Sequence, residues 1–321
     1  MTSKLAENDG FAKNRSNTEF PSELGPFSLT SRGSVKQTSR TKETLMRTFR
    51  LCPAIAVAIV AVGTFTAGAA PYPDTLPGGA INVGSADYFT VLTKSEAGFT
   101  DNTVTGSSFV IGNYGVGGRG NLTLTGNGHI DGRVVMHGGG HPTLTGNAKI
   151  NGTVSNNDSQ LNQALSDAQM LSDAAAMEAV TPAYASLTNV SLNGGASMTI
   201  TGAPGQKVVL SLQNFSLSGK STFTLQGTAT TSFIINVAKN FSLTGNSQIL
   251  LAGVPPQNVL FNILGKGKDV SLTGHSSLSG IVLALNRKVD LTGGSQVKGK
   301  VIADQVELTG GSSVVTPTTN R

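Results

Sequence analysis

The sequence predicts a mainly β fold: a β-solenoid, or β-helix, of irregular coils with one long α-helix packed along its side. Two observations carry this expectation. The stretch from Val270 to Ala284 returns from Val289 to Ala303 with the same polarity at each position, and shorter copies recur from residue 121 to the end. Self-similarity of this kind marks a repeat architecture, in which no single unit can bury its own apolar face. Second, one stretch, residues 155–181, breaks the pattern with helical spacing.

Taken in order, the chain opens with polar residues 1–45, read as a disordered extension or as the product of a start codon upstream of Met46. Residues 46–70 read as a secretory signal peptide. Arg47 and Arg50 precede an apolar core from Leu51 to about Val62, and the small residues Ala67-Gly68-Ala69-Ala70 offer a cleavage site. That core is too short to be a stable transmembrane anchor, which needs about 20 residues. Residues 71–80, rich in Pro and Gly, read as a linker. Tyr88–Leu92 and Ser108–Ile111 are short β-prone runs bounded by turn residues, expected to form less regular first coils that cover one end of the stack.

The repeat then becomes explicit, in eight copies whose central leucines are Leu124, Leu144, Leu192, Leu217, Leu243, Leu272, Leu291 and Leu308. Their spacings are 20, 48, 25, 26, 29, 19 and 17 residues, so only one interval holds an insertion. Each copy goes on through a Gly to further apolar residues, as in Ile130-Asp131-Gly132-Arg133-Val134. A coil therefore holds two or three short strands separated by tight turns, with alternate residues pointing in and out. Val208–Leu212 and Ser232–Val237 are the most apolar strands and should lie deepest.

In the insertion, Leu161, Ala164, Leu165, Ala168, Leu171 and Ala175 share one helical face, which predicts a helix over about 158–180. Asp158 or Ser159 can cap its start, Pro182 follows its end, and Asp167, Asp173 and Glu178 should face water. The solenoid should run over 81–315, leaving 316–321 as a tail.

Composition narrows the function classes. The formal net charge is +5, yet nine of the 23 Lys and Arg and five of the 18 Asp and Glu lie in the first seventy residues. The remainder is nearly neutral, which gives no support for nucleic-acid binding. The single cysteine, Cys52, lies in the signal segment, so a secreted product must hold together without disulfides.

Four stretches resemble a known group: Phe233–Val237, Asn258–Asn262, Ser279–Ala284 and Lys298–Ala303. They resemble the closing coils of the choice-of-anchor A family of bacterial surface and secreted proteins. They are similar also to the bacterial ice-binding-like domain, a β-solenoid flanked by one long helix. The resemblance extends over about residues 84–315 and includes the place of the helix after the first coils. The first family name implies a C-terminal anchor, but residues 316–321 carry no hydrophobic tail or sorting signal, so no stable membrane anchor is expected.

For chemistry, the candidates are sparse. His129, His137 and His141 with Asp131 match no standard zinc spacing, and three glycines separate the last two histidines. No metal or cofactor is expected. Polysaccharide-active enzymes also use solenoids, but their chemistry needs clustered carboxylates, and here the acidic residues are scattered, with no Trp to stack on sugar rings.

The best candidate is the outward pair flanking each central leucine: Thr123 and Thr125, Thr143 and Thr145, Ser191 and Asn193, Ser216 and Ser218, Ser242 and Thr244, Ser271 and Thr273. In register these make two columns of small polar side chains on a flat face, the first broken at the last two coils by Asp290 and Glu307. Such columns are also ordinary strand filling in a secreted solenoid. The sequence thus predicts a non-catalytic secreted solenoid with an adhesion, matrix or surface-coating role, bound to an extracellular polysaccharide or protein matrix. The alternative is an ice-binding protein that uses the hydroxyl columns, and a polysaccharide-active enzyme comes third.

Overall fold

The computed structural model of the chain describes residues 75–76, 78–96 and 101–316. All of them fall in one unit, residues 64–321. The expected signal peptide, the extension before it and the tail beyond residue 316 lie outside the described residues. The linker is described only in part, and within it Thr75 already bridges Ile81 antiparallel.

Each circuit of the chain lays strands on three faces, and every ladder between named strands is parallel. The first face carries the central leucines. Its rungs run, in spatial order, Asn189–Leu192, 214–217, 240–243, Val270–Leu272, 288–291, 305–308, Asp101–Val104, Asn121–Gly126 and Thr143–Gly146. Spatial order is not chain order. Val91 pairs with Val301 on one side and Tyr114 on the other, and Thr103 pairs with Glu307. The early strands Val91–Thr93, Asp101–Val104 and Phe109–Ile111 therefore sit inside the stack, on the last coil, and do not cover its end as expected. The cause is that strand Gln296–Leu308 would otherwise end in an open edge of unpaired backbone groups, and the chain's own first coil satisfies it.

This arrangement explains the helix, Asp158–Met177. The coil before it, 143–156, is one end of the stack, and the strand after it, Asn189–Leu192, is the other. The chain must return along the whole length, about 38 Å for nine rungs spaced by about 4.8 Å, and a 20-residue helix covers about 30 Å of it. Its buried stripe of Leu161, Ala164, Ala168, Leu171 and Ala175 repeats every three or four residues. It packs on the outward side chains of the third face, among them Val209, Ile234, Leu260, Leu283, Ile302 and Leu92. The strands singled out as most apolar, 208–212 and 232–237, lie here between helix and inner core, with apolar side chains buried on both sides.

Three details differ from expectation. Asn157, and not Asp158 or Ser159, is the N-cap, its side chain accepting from the Gln160 amide at 3.1 Å. Asp167 is buried rather than solvated, because its carboxylate accepts from the Ser85 amide at 2.6 Å and from Gln163 at 2.8 Å. Burial pushes its pKa up, but these hydrogen bonds hold it below the ordinary value. Asp173 is exposed, as expected, while Glu178 is half-buried and pairs with Lys207 at 2.6 Å.

The inner core follows coil length. The coils with 25 to 29 residues between leucines enclose a wider section, filled by Phe215, Phe223, Phe241 and Phe261 in mutual ring contact. The shorter coils put Val270, Val289 and Val306 in register at the corresponding place. The corner after each leucine from Leu192 to Leu308 turns on two consecutive left-handed residues, such as Gly293 and Gly294 at φ 62° and 76°, a conformation that favours glycine, whereas after Leu124 and Leu144 only Gly126 and Gly146 are left-handed. A buried serine pins the turn, Ser295 donating to the Thr292 carbonyl at 2.8 Å, with Ser276 and Ser312 doing the same for Thr273 and Thr309.

Candidate functional site

The three faces offer very different surfaces. The third is covered by the helix. The second is mixed: Phe109, His129 and Lys149 share one of its columns, and Ile111, Asp131 and Asn151 lie alongside. His129 stacks on Phe109 with ring centroids 5.2 Å apart and lies 4.0 Å from Asp131. His137 and His141 sit on the next loop, the first hydrogen-bonded to Gly138 and the second exposed. Among the described residues no group of three or more His, Cys, Asp or Glu side chains is placed to hold a metal ion.

The first face is regular, because the inward leucine fixes its neighbours outward on every rung. It carries three columns. In the outermost, asparagines are tied to one another: Asn214 donates to Asn189 and Asn240 to Asn214, both at 2.9 Å, and Asn121 donates to Asp101 at 2.9 Å. These groups are occupied in holding the coils together.

The middle column holds Ser191, Ser216, Ser242, Ser271, Asp290, Glu307, Thr103, Thr123 and Thr143 in register. Asp290 and Glu307 fall at its centre rather than at the end that chain order suggests. Lys288 offsets part of this negative charge, 3.1 Å from Glu307 and 3.4 Å from Asp269. Burial lowers the Lys288 pKa, but hydrogen bonding to Glu307 and the charges of Glu307, Asp269 and Asp290 raise it above its ordinary value. Burial raises the Asp290 pKa, and the charges of Glu307 and Asp269 add to the effect against that of Lys288. The Asp290 Oδ1 and Thr103 Oγ1 atoms are buried with no hydrogen-bond partner among the described residues.

The inner column, two residues further on, runs Asn193, Ser218, Thr244, Thr273, Thr292, Thr309, Thr105, Thr125 and Thr145. Each amide from Ser218 to Thr105 bonds to the leucine carbonyl of the preceding rung, and Thr125 pairs with Thr145. From Thr244 to Thr145 every member is threonine. None of these threonine hydroxyls makes a hydrogen bond to another described residue, and none is a buried unsatisfied atom. They are free to meet a ligand, at about 4.8 Å along the column and about 6.7 Å from the middle column.

All twelve candidate side chains therefore lie on one face, but in two blocks. Thr103, Thr105, Thr292 and Thr309 join the blocks, and the sequence reading left them out. Thr292 and Thr309 already stood in recognised copies of the repeat, and Thr103-Val104-Thr105-Gly106 is the same motif with Val for Leu.

Elsewhere, a groove of about 470 Å³ lies beside Ile81, Val83, Ile281 and Lys300. Lys300 there is engaged by the Asp87 carboxylate at 3.2 Å and by the carbonyls of Asp87 and Phe89 at 2.6 and 3.1 Å. Its ammonium has no donor left for catalysis.

Residues 75–314 match the family model of the ice-binding-like adhesive domain, the second of the two groups that the sequence resembles. No curated protein matches the chain. Similar solved structures include an ice-binding protein from the Antarctic ascomycete Antarctomyces psychrotrophicus, 17% identical over 74% of this chain and 98% of that one, with a TM-score of 0.45. A glycosylated ice-binding protein from an Arctic yeast is 16% identical over 74% and 95%, with a TM-score of 0.48. An ice-binding protein domain from Shewanella frigidimarina is 17% identical over 77% and 100%, with a TM-score of 0.45.

Proposed function

The chain belongs to the ice-binding-like adhesive domain family, and from that premise we propose that it is a secreted, non-catalytic module that holds a periodic surface on its first face, with ice as the ligand. The observation that carries this reading is the unbroken column Thr244, Thr273, Thr292, Thr309, Thr105, Thr125 and Thr145, whose hydroxyls no other described residue engages. A rigid parallel sheet fixes these hydroxyls before binding, so little side-chain entropy is lost when they meet an ordered lattice. Threonine is suited to the task because its χ1 is stiff and its methyl fills the space between hydroxyls.

The test is ice recrystallisation and crystal shape with the purified chain. Wild type should inhibit growth and facet the crystals, and Thr292→Tyr, at the centre of the column, should lose at least about tenfold in activity through steric misfit, equivalent to 1.4 kcal/mol. Wild-type inactivity with intact β circular dichroism would defeat the reading.

A second reading, adhesion to a hydrated matrix polymer, is favoured by the charged centre of the first face, where Asp290 and Glu307 of the middle column meet Lys288 and Asp269 beside them, which interrupts a hydroxyl lattice but suits a polar chain. It predicts co-sedimentation with polysaccharide or protein fibres that weakens as salt rises. Residues 46–70 would deliver the domain outside the cell in either case. Among the described residues no helix is long and apolar enough to cross a membrane.

A further inference from the structure

We propose that the end of the stack formed by residues 137–156 is an interface with a second copy of this chain, docked end to end about a two-fold axis. Leu124, Ile130 and Val134 are fully buried because Leu144, Ile150 and Val154 lie over them in register. Among the described residues nothing lies over the latter three. Leu144 is 44% exposed and Val154 43%, so the inner core is laid bare on this cross-section. The strands Thr143–Gly146, Lys149–Ile150 and Val154–Asn156 are each paired on one side only, which leaves a free edge on all three faces.

The opposite end is built differently. The Thr181 amide bonds to Val209 at 3.0 Å, and the turn beyond it folds across the first rungs. There the Tyr184 hydroxyl donates to the Thr201 carbonyl and accepts from the Thr201 amide, while Tyr184 and Leu187 pack on the core. Val190 and Ile200 are buried in consequence. Among the described residues the core is covered at this end and bare at the other, although Asn189–Leu192 and Ser197–Thr201 are also paired on one side only.

A single bare end decides the kind of assembly. Head-to-tail growth would seat this bare core on one that is already covered, whereas isologous docking buries two bare cores against each other and closes as a dimer. The fold already shows that coils far apart in sequence hold together through their edges, the coil at 296–315 lying on the coil at 91–111 through the parallel pairs Val91–Val301, Thr103–Glu307 and Val110–Val314. Across a two-fold axis the edge strands meet antiparallel, a pairing that free backbone edges also make. The rim carries both Lys149 and Asp158, so it does not repel a copy of itself through one sign of charge. About twenty residues a side is the lower limit for a standard interface, which fits a reversible dimer.

Sedimentation equilibrium of the full chain, from about 1 μM to about 1 mM, tests the proposal within the range of measurable association. A concentration-dependent dimer is expected, with Leu144→Lys and Val154→Lys each raising its dissociation constant about 100-fold. Both sites are nearly half exposed, so the charge should leave the circular dichroism and Tm of the monomer unchanged. Leu250→Lys, equally exposed at 43% but on the side of the stack, should leave the dimer intact. A chain that is monomeric throughout, as it would be if a different protein covers this end, overturns the proposal. So does a dimer that ignores both end substitutions, or assembly that continues past two copies.

Discussion

Replacing Asn262 by alanine should loosen the helix from the solenoid and cost about 3 kcal/mol, a large share of the roughly 5–15 kcal/mol that stabilises a domain. Asn262 is fully buried on the third face, between sheet and helix. Its Nδ2 donates to the Ser172 carbonyl at 3.0 Å and to Asn236 Oδ1 at 2.9 Å, and its Oδ1 accepts from Ser172 Oγ at 2.8 Å. Asn236 in turn donates to the Ala175 carbonyl at 2.7 Å, so the two asparagines form one clamp on the last helical turns. Alanine removes all three Asn262 bonds. The part-buried Ser172 hydroxyl can turn to water, but Asn236 Oδ1 stays buried without a donor, at a cost of about 1–3 kcal/mol, and the other bonds add about 1 kcal/mol between them. Urea unfolding should show a lower midpoint with an unchanged slope. Hydrogen exchange should quicken in Asp158–Met177 while the inner strands keep their protection. A loss below about 0.5 kcal/mol, the level of an ordinary surface change, would refute the clamp, as would strands that exchange before the helix.

Asp290→Asn should stabilise the protein at neutral pH. The native pKa of Asp290 is raised by burial and then by Glu307 and Asp269, so its charged form is disfavoured in the fold and stability is lost as pH climbs from the unfolded towards the native value. Thermal melts should therefore show a higher Tm for the variant at pH 7 and a gap that closes below the ordinary aspartate value of 3.8; a gap independent of pH would contradict the assignment. Gly299→Ala should cost more than about 3 kcal/mol and reduce soluble yield, because a Cβ there would stand 1.9 Å from the Gly280 carbonyl oxygen, a backbone atom that cannot move aside. Gly139→Ala, with a positive φ but open space around it, should cost only about 1–2 kcal/mol, which separates collision from backbone strain in the same melt.

Much of this protein was legible locally. The alternation around Leu243 and Leu272 fixes which side chains face in and which face out, and the Leu161 to Ala175 spacing fixes the helix and its buried stripe. Both are short-range patterns with a physical period, two for a strand and 3.6 for a helix. The same periodicity placed Thr244, Thr273 and their ten companions on one face. It could not place Asp167 or Asn262. Each is polar, and each is buried because of partners about 80 to 90 residues away, which no local pattern encodes.

What tertiary structure alone decided is the order of the coils. A coil edge is a row of backbone donors and acceptors, the same on every rung, so the repeat tells each coil that it must stack and does not tell it on which neighbour. The contact between Asn102 and Val306, 204 residues apart, exists only because the first coil closes the open edge of strand Gln296–Leu308. That contact brings Thr105 between Thr309 and Thr125 and turns two partial columns into one. The sequence by itself determined the rungs, through side-chain alternation; only the folded chain determined their succession, because backbone pairing carries no address.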